Sequence, residues 1–389
     1  MSVPSAKFEL SQKEKERRYI LLRDKLKKAG LSAIIVYGGS QIGVPVHYLT
    51  QVWGNRNNMV IFPVEGEPVF LIPSNSIVNV AAVVKQGCWI PEENIHLSAV
   101  PAADAAKILI KLKLQNSKIG IDSFRFWPVN EYQTVMEICP KVQIVEARRL
   151  FGEIRGAKSD EELAVMQNAI QISDMAHYAF LSTVKSGMTE LEATAKAIQV
   201  LDTQGIGDRI VLCHTQPEAA YPNRPGPAII QKPNPITFSP EFTRTRGYGA
   251  QMIRAYWWEK PQGVYQRMFE LWAEMRKMIV QEFKPGVEIT DAGKKIVNLI
   301  ESYGFECDKL GHAIGLAYGE APYITSSPEE KDHEIWTIQD REVYAVHPMV
   351  RCKGYVAPFS MIGDMYLVGK DQTKWITTTL PGLPEMIPF

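Results

Sequence analysis

The sequence has no excess charge of either sign. Lysine plus arginine and aspartate plus glutamate both number 43. A balanced chain sets up no field to gather nucleic acid or an anionic membrane, so neither partner is expected. Long apolar runs are also missing, and none approaches the ~20 residues needed to cross a bilayer. The opening residues, Met1-Ser-Val-Pro-Ser-Ala-Lys7, lack the charged-then-apolar order of a secretory leader. Cysteine is sparse, odd in number and scattered: Cys88, Cys139, Cys213, Cys307 and Cys352. With no CxxC pair, neither a disulfide framework nor a zinc–thiolate site is indicated. Together these absences lead us to expect a cytoplasmic protein with reduced thiols.

What is present is enough chain for two domains, 389 residues, with eight tryptophans and fifteen tyrosines to build a core and an aromatic-lined pocket. Ser11 with Glu14 predicts a capped helix to about Lys28, ended by Gly30. Leu31–Tyr37 reads as a buried strand, Met59–Val64 and Pro68–Ile72 as a hairpin, Ala102–Lys113 as a helix and Lys118–Asp122 as another strand. Strands alternating with helices predict an α/β domain over residues 1–153. Beyond it Ser159 with Glu162, and Thr189 with Glu192, form two capping boxes, the first opening a helix to about Ser186. Helices are expected over Val264–Phe283 and Thr290–Tyr303. Strands are expected at Pro235–Phe238, Gly249–Trp258, Val343–Val346 and Met365–Val368. Two helix pairs, each followed by strands, hint at an internal duplication in a domain over residues 154–389.

The segment Leu310–Pro322 sets His312 between Gly311 and Gly315, with Glu320 eight residues on. Glycine permits close backbone approach, and an imidazole with a pKa of about 6.5 can exchange protons at neutral pH. A packed core histidine is the plainer reading of the same residues.

In order and spacing, several motifs resemble the superfamily of methionine aminopeptidase, aminopeptidase P, prolidase and creatinase. They are Arg155–Glu162, Lys284-Pro-Gly286, Gly311–Leu316 with Glu320-Ala-Pro322, His347-Pro348 and Gly363–Val368. The resemblance implies an α/β N-terminal domain and an α+β "pita-bread" C-terminal domain, a curved antiparallel sheet covered by helices. It also implies a homodimer in which the N-terminal domain of one subunit approaches the other's site, where Arg56 or Trp53 would make the contact.

The metallopeptidases of that superfamily hold two divalent metals on two aspartates, a histidine and two glutamates. Matching Gly247-Tyr248 to the family's Gly-Tyr puts these at Pro240, Gln251, His312, His347 and Gly363. Only His312 is kept, so the resemblance implies neither a dinuclear metal centre nor any other cofactor. Convergence of His214, His312 and His347 on one zinc is the remaining metal possibility. The expected function is therefore metal-independent, creatinase-like hydrolysis of a C–N bond in a small polar molecule. A lyase, a non-catalytic binding module and an Xaa-Pro peptidase are the alternatives. The candidate acid–base residues are His312, His347, His214 and Glu320. The candidate substrate contacts are Tyr248, Gln251, Glu241, Arg244, Tyr256, Arg56 and Trp53. Glu241 enters if its strand shifts by one residue, since strand side chains alternate. A solvent-facing carboxylate at Glu241 and a merely exposed basic hairpin at Arg244 are the plainer readings.

Overall fold

The computed structural model describes residues 9–38, 44–52, 57–74, 79–206, 208–215, 223–243, 247–317, 319–327, 335–354, 359–377 and 385–386. The chain divides into two compact units, one ending at Arg155 and the other beginning at Gly156.

In the first unit six strands lie in the order 95–98, 69–73, 58–63, 33–38, 118–121, 143–146. The 58–63 strand is antiparallel to both its neighbours, and the other pairs are parallel. The apolar run at Ala33–Gly38 is buried throughout because the sheet is covered on both faces. On one face Ile35, Met59 and Ile61 pack with Ala105, Leu109 and Val135 of two helices. The helix Gln12–Lys28 starts where the Ser11 side chain accepts the Glu14 N–H, as its capping pair predicts.

The second unit is α+β, with helices lying over antiparallel strands. Both capping boxes form, opening the helices Asp160–Leu181 and Glu190–Thr203. The first helix stops five residues earlier than expected. The Ser182 and Thr183 hydroxyls bond back to the Ala179 carbonyl, and Gly187 N–H is drawn to Ile230. A second helix pair, Gly263–Glu282 and Ile289–Ser302, follows the first group of strands.

The strand Ile236–Thr243 is longer than its expected counterpart and organises the site. Thr237, Ser239, Glu241 and Thr243 alternate with Ile236, Phe238, Pro240 and Phe242, and all are buried. The apolar set faces the Asp160–Leu181 helix, where Phe238 stacks on Phe180 at 4.3 Å and 5°. The strand expected at Gly249–Trp258 is two strands, Gly249–Gln251 and Arg254–Trp257. The break falls at Ile253, whose N–H and C=O both pair with Gly363. That pairing joins this sheet to the one holding Gly311–Ala313, Val343–Val346 and Asp364–Leu367. No helix among the described residues is long and apolar enough to cross a membrane.

Candidate active site

Glu241 stands directly opposite Gln251 on the adjoining strand, so the two side chains share one face. Glu241, and not Pro240, takes the place beside Gln251. The Ser239 hydroxyl donates to Glu241 Oε1 at 3.1 Å, and the Gln251 side chain bonds to the same carboxyl. Burial pushes the Glu241 carboxyl up to about 7, against the opposing pull of those two hydrogen bonds. Gln251 Oε1 is buried with no hydrogen-bond partner.

His312 and His347 do meet. Gly311–Ala313 pairs with Val343–Val346, and His347 N–H donates to the Leu310 carbonyl at 3.0 Å. The close approach depends on Gly311, at φ +140°, where a Cβ would fall 2.2 Å from the Ala345 carbonyl oxygen. The two Nε2 atoms are 3.1 Å apart. His312 Nδ1 lies 3.0 Å from the Ala313 carbonyl, which can only accept, so that nitrogen carries the proton. Burial lowers the pKa of both rings, that of His347 to about 3. In the neutral pair His312 Nε2 is then bare, His347 Nε2–H donates to it, and His347 Nδ1 is left as a lone pair. That atom is buried and unpartnered.

Glu320 lies near enough for its charge to favour protonated His312. Its Oε1 accepts the Ala317 N–H at 3.0 Å and its Oε2 lies 3.9 Å from Lys158 Nζ, so it also fixes the turn after His312. His214 is brought to the Glu241 face but not to Glu241. It pairs opposite Thr237, four residues or roughly 13 Å along the strand. Among the described residues no group of three or more His, Cys, Asp or Glu side chains is placed to hold a metal ion. His214, His312 and His347 thus do not assemble as a triad.

Two expected substrate contacts lie elsewhere. The Tyr256 hydroxyl donates to His177 Nδ1 at 2.6 Å on the helix-facing side, because His177 Nε2–H is used on the Met252 carbonyl. Strand alternation turns Tyr256 away from the polar face. The buried Tyr248 hydroxyl donates to Glu162 of the Asp160–Leu181 helix. Trp53, Arg56 and Arg244 lie outside the described residues.

Of the positions the resemblance reserves for metal-binding carboxylates, Gly363 is closed by packing. A Cβ there would sit 2.9 Å from His347 Cβ and 2.9 Å from Ile253 Cγ1. Pro240 lies on the apolar face. Asp364, next in the chain, serves structure. It pairs with Arg254 at 3.0 Å and Arg276 at 2.7 Å and accepts the Thr377 hydroxyl at 2.8 Å. Sequence reasoning missed Ser239. The alternation of polar residues at 237, 239, 241 and 243 was the signal that could have found it.

Comparison with known proteins agrees with this architecture. The model of metallopeptidase family M24 matches residues 164–370, and that of the creatinase/prolidase N-terminal domain matches residues 18–156. A putative dipeptidase, YkvY, from Bacillus subtilis is 22% identical over 337 residues, 83% of this chain and 87% of its own length. An Xaa-Pro dipeptidase from Pyrococcus horikoshii is 23% identical over 280 residues, 67% of this chain and 74% of its own. Among solved structures, the dipeptidase PepE from Mycobacterium ulcerans superposes with a TM-score of 0.80 at 17% identity, over 98% of this chain and all (100%) of that one. The fold is therefore the two-domain pita-bread fold.

Proposed function

From the premise that this chain belongs to metallopeptidase family M24, we propose that it hydrolyses an amide-type C–N bond of a small polar molecule without a dinuclear metal centre. The residues present do not fit such a centre. Proline, glutamine and glycine stand where carboxylates are needed, and hard divalent cations want charged oxygens. The observation that carries the proposal is the Glu241–Gln251 pair. It is a buried carboxyl held by an amide and a hydroxyl on the polar face of the central strand.

In this reading Glu241 takes the proton of the attacking water and then delivers that proton to the departing nitrogen, while the neutral His312–His347 pair orients the substrate by hydrogen bonding. Positioned acid–base groups of this kind are worth roughly 10²–10⁴-fold. The relatives' names, dipeptidase and Xaa-Pro dipeptidase, make dipeptides the first substrates to try, ahead of creatine-like molecules. A homodimer belongs to the same proposal and is read by light scattering.

Those names also favour a second reading, a metal-dependent Xaa-Pro dipeptidase. The test is a panel of Xaa-Pro and other dipeptides and small amides, assayed with chelator and with added divalent metal, alongside elemental analysis. The expected result is turnover indifferent to chelator in protein carrying far less than one metal per chain. Turnover that appears only with metal would establish the second reading instead.

A further inference from the structure

Lys158 is a cation enclosed in the second unit, its side chain only 1% exposed. A lysine is almost never buried to that degree unless it is paired. Its Nζ donates to the Gly156 carbonyl at 3.0 Å and lies 3.9 Å from Glu320 Oε2. Glu342 is the second carboxyl in its field. A Cβ on Gly156 would fall 2.9 Å from Glu342 Oε1. Burial raises the pKa of that carboxyl, and the Lys158 charge is among the groups that oppose the rise. Glu342 is also fixed by the Trp336 indole N–H at 3.0 Å, the Tyr344 hydroxyl at 2.6 Å and the Gln339 N–H at 3.0 Å.

The two carboxyls belong to the neighbours, one on each side, of the strand that carries His312. Glu320 opens the strand Glu320–Tyr323 and stands opposite Ala313. Glu342 immediately precedes the strand Val343–Val346, whose Tyr344 also stands opposite Ala313. His347 follows directly on that strand. By alternation the Ala313 side lies behind the sheet from His312. The strand between, Gly311–Ala313, has only 3 residues, and its pairing to Glu320–Tyr323 shifts register between His312 and Ala313. A ladder so short and interrupted leaves the His312 ring open to small displacements. The Lys158–Glu320 contact reaches the turn that follows. A Cβ on Gly315 would fall 2.8 Å from Glu320 Oε2 and 3.1 Å from Lys158 Nζ, while Glu320 Oε1 accepts the Ala317 N–H.

We propose that Lys158 is a positioning residue for the histidine pair: its ammonium ties Glu320 to Glu342 behind the sheet and so holds His312 and His347 at hydrogen-bond distance. The inference rests on the reading of that pair as part of the active site, and it adds the residue that fixes the pair's geometry. The tie depends on charge. Methionine fills much of the same space but attracts neither carboxylate.

The test uses the whole chain with ¹⁵N-labelled histidine. It reads the two-bond nitrogen–nitrogen coupling across the His347 Nε2–H···Nε2 His312 hydrogen bond, identified by its loss in His312→Gln. The coupling is expected in the wild-type protein. In Lys158→Met it falls roughly twofold or more, because a hydrogen bond weakens steeply as its length and angle leave the optimum. Where Lys158→Met does not fold, Lys158→Met combined with Glu320→Gln keeps the net charge of the cluster and should show the same fall. A lysine that served only to fill space would leave the coupling intact in both variants, and that result overturns the proposal. A wild-type protein without the coupling overturns it too, since there is then no pair to position. Because the readout is the pair itself and not turnover, a failure to hydrolyse any dipeptide or amide would sink the proposed reaction and leave this result standing.

Discussion

His347 Nε2 lies 3.1 Å from His312 Nε2, and the only neutral arrangement consistent with the Ala313 carbonyl makes His347 the donor. The pair therefore resists protonation in the fold. Its pH consequence has a definite sign. Unfolded His347 takes up a proton below about pH 6.5, while the folded ring holds out to about 3. The unfolded state binds more protons across that window, so this residue costs stability as pH falls from 6.5 toward 3. In His347→Gln that contribution is gone. The gap between variant and wild type should change by ~1.4 kcal/mol per pH unit between 6.5 and 4. Urea midpoints across that range check it, and parallel curves for the two proteins would contradict it.

Glu241 gives an opposite and separable signature in turnover. As a base it acts ionised, so kcat/KM should rise through about pH 7. Glu241→Gln should lower kcat by roughly 10²–10⁴-fold while the chain stays folded. Gln251→Leu removes a hydrogen bond that favours the ionised carboxyl, so the rising limb should move to higher pH. A limb that stays in place in Gln251→Leu would show that another group governs the rate.

Much of this architecture was legible in the sequence, and the parts that were not share a cause. Ser159 with Glu162 and Thr189 with Glu192 announce their helices because a capping box is local. The His312–His347 encounter could be anticipated because both positions carry over from a family pattern. The place of Glu241 beside Gln251 could be anticipated only on condition of a strand shift, since register depends on the whole hairpin and a one-residue change reverses every side chain along it. The same blindness to face misplaced Tyr256, whose neighbour in space is His177, 79 residues away. The break at Ile253 depends on Gly363, a partner more distant still.

Gly363 bears on whether metal chemistry could simply be restored by mutation. A side chain at this position meets His347 and Ile253 at once. Gly363→Ala should therefore destabilise by ~1–3 kcal/mol, the usual cost of overpacking. Part of that should return in an Ile253→Ala background, giving a favourable coupling in a double-mutant cycle. Thermal or urea denaturation of the four proteins measures it. Additive effects would mean that Ile253 does not close this position.

Asp364 tests the division between chemistry and scaffold. It is buried, and burial alone would raise its pKa. The Arg254 and Arg276 guanidinium groups more than offset that and hold the carboxyl below its ordinary range. Arg254 is itself almost wholly enclosed and also donates to the Gly363 and Ile253 carbonyls, so the cluster clamps the junction of the two sheets. Asp364→Asn leaves a buried cation without its counter-charge, which should cost ~3–5 kcal/mol. The wild-type contribution is complete above the unfolded carboxylate's titration and fades as pH falls through the lower folded value, so the variant's deficit should shrink in acid. A paired Asp364→Leu, Arg254→Met change removes both charges and should recover part of the loss. If Asp364→Asn instead keeps full stability at neutral pH but abolishes turnover, Asp364 belongs to the reaction and the clamp is not its role.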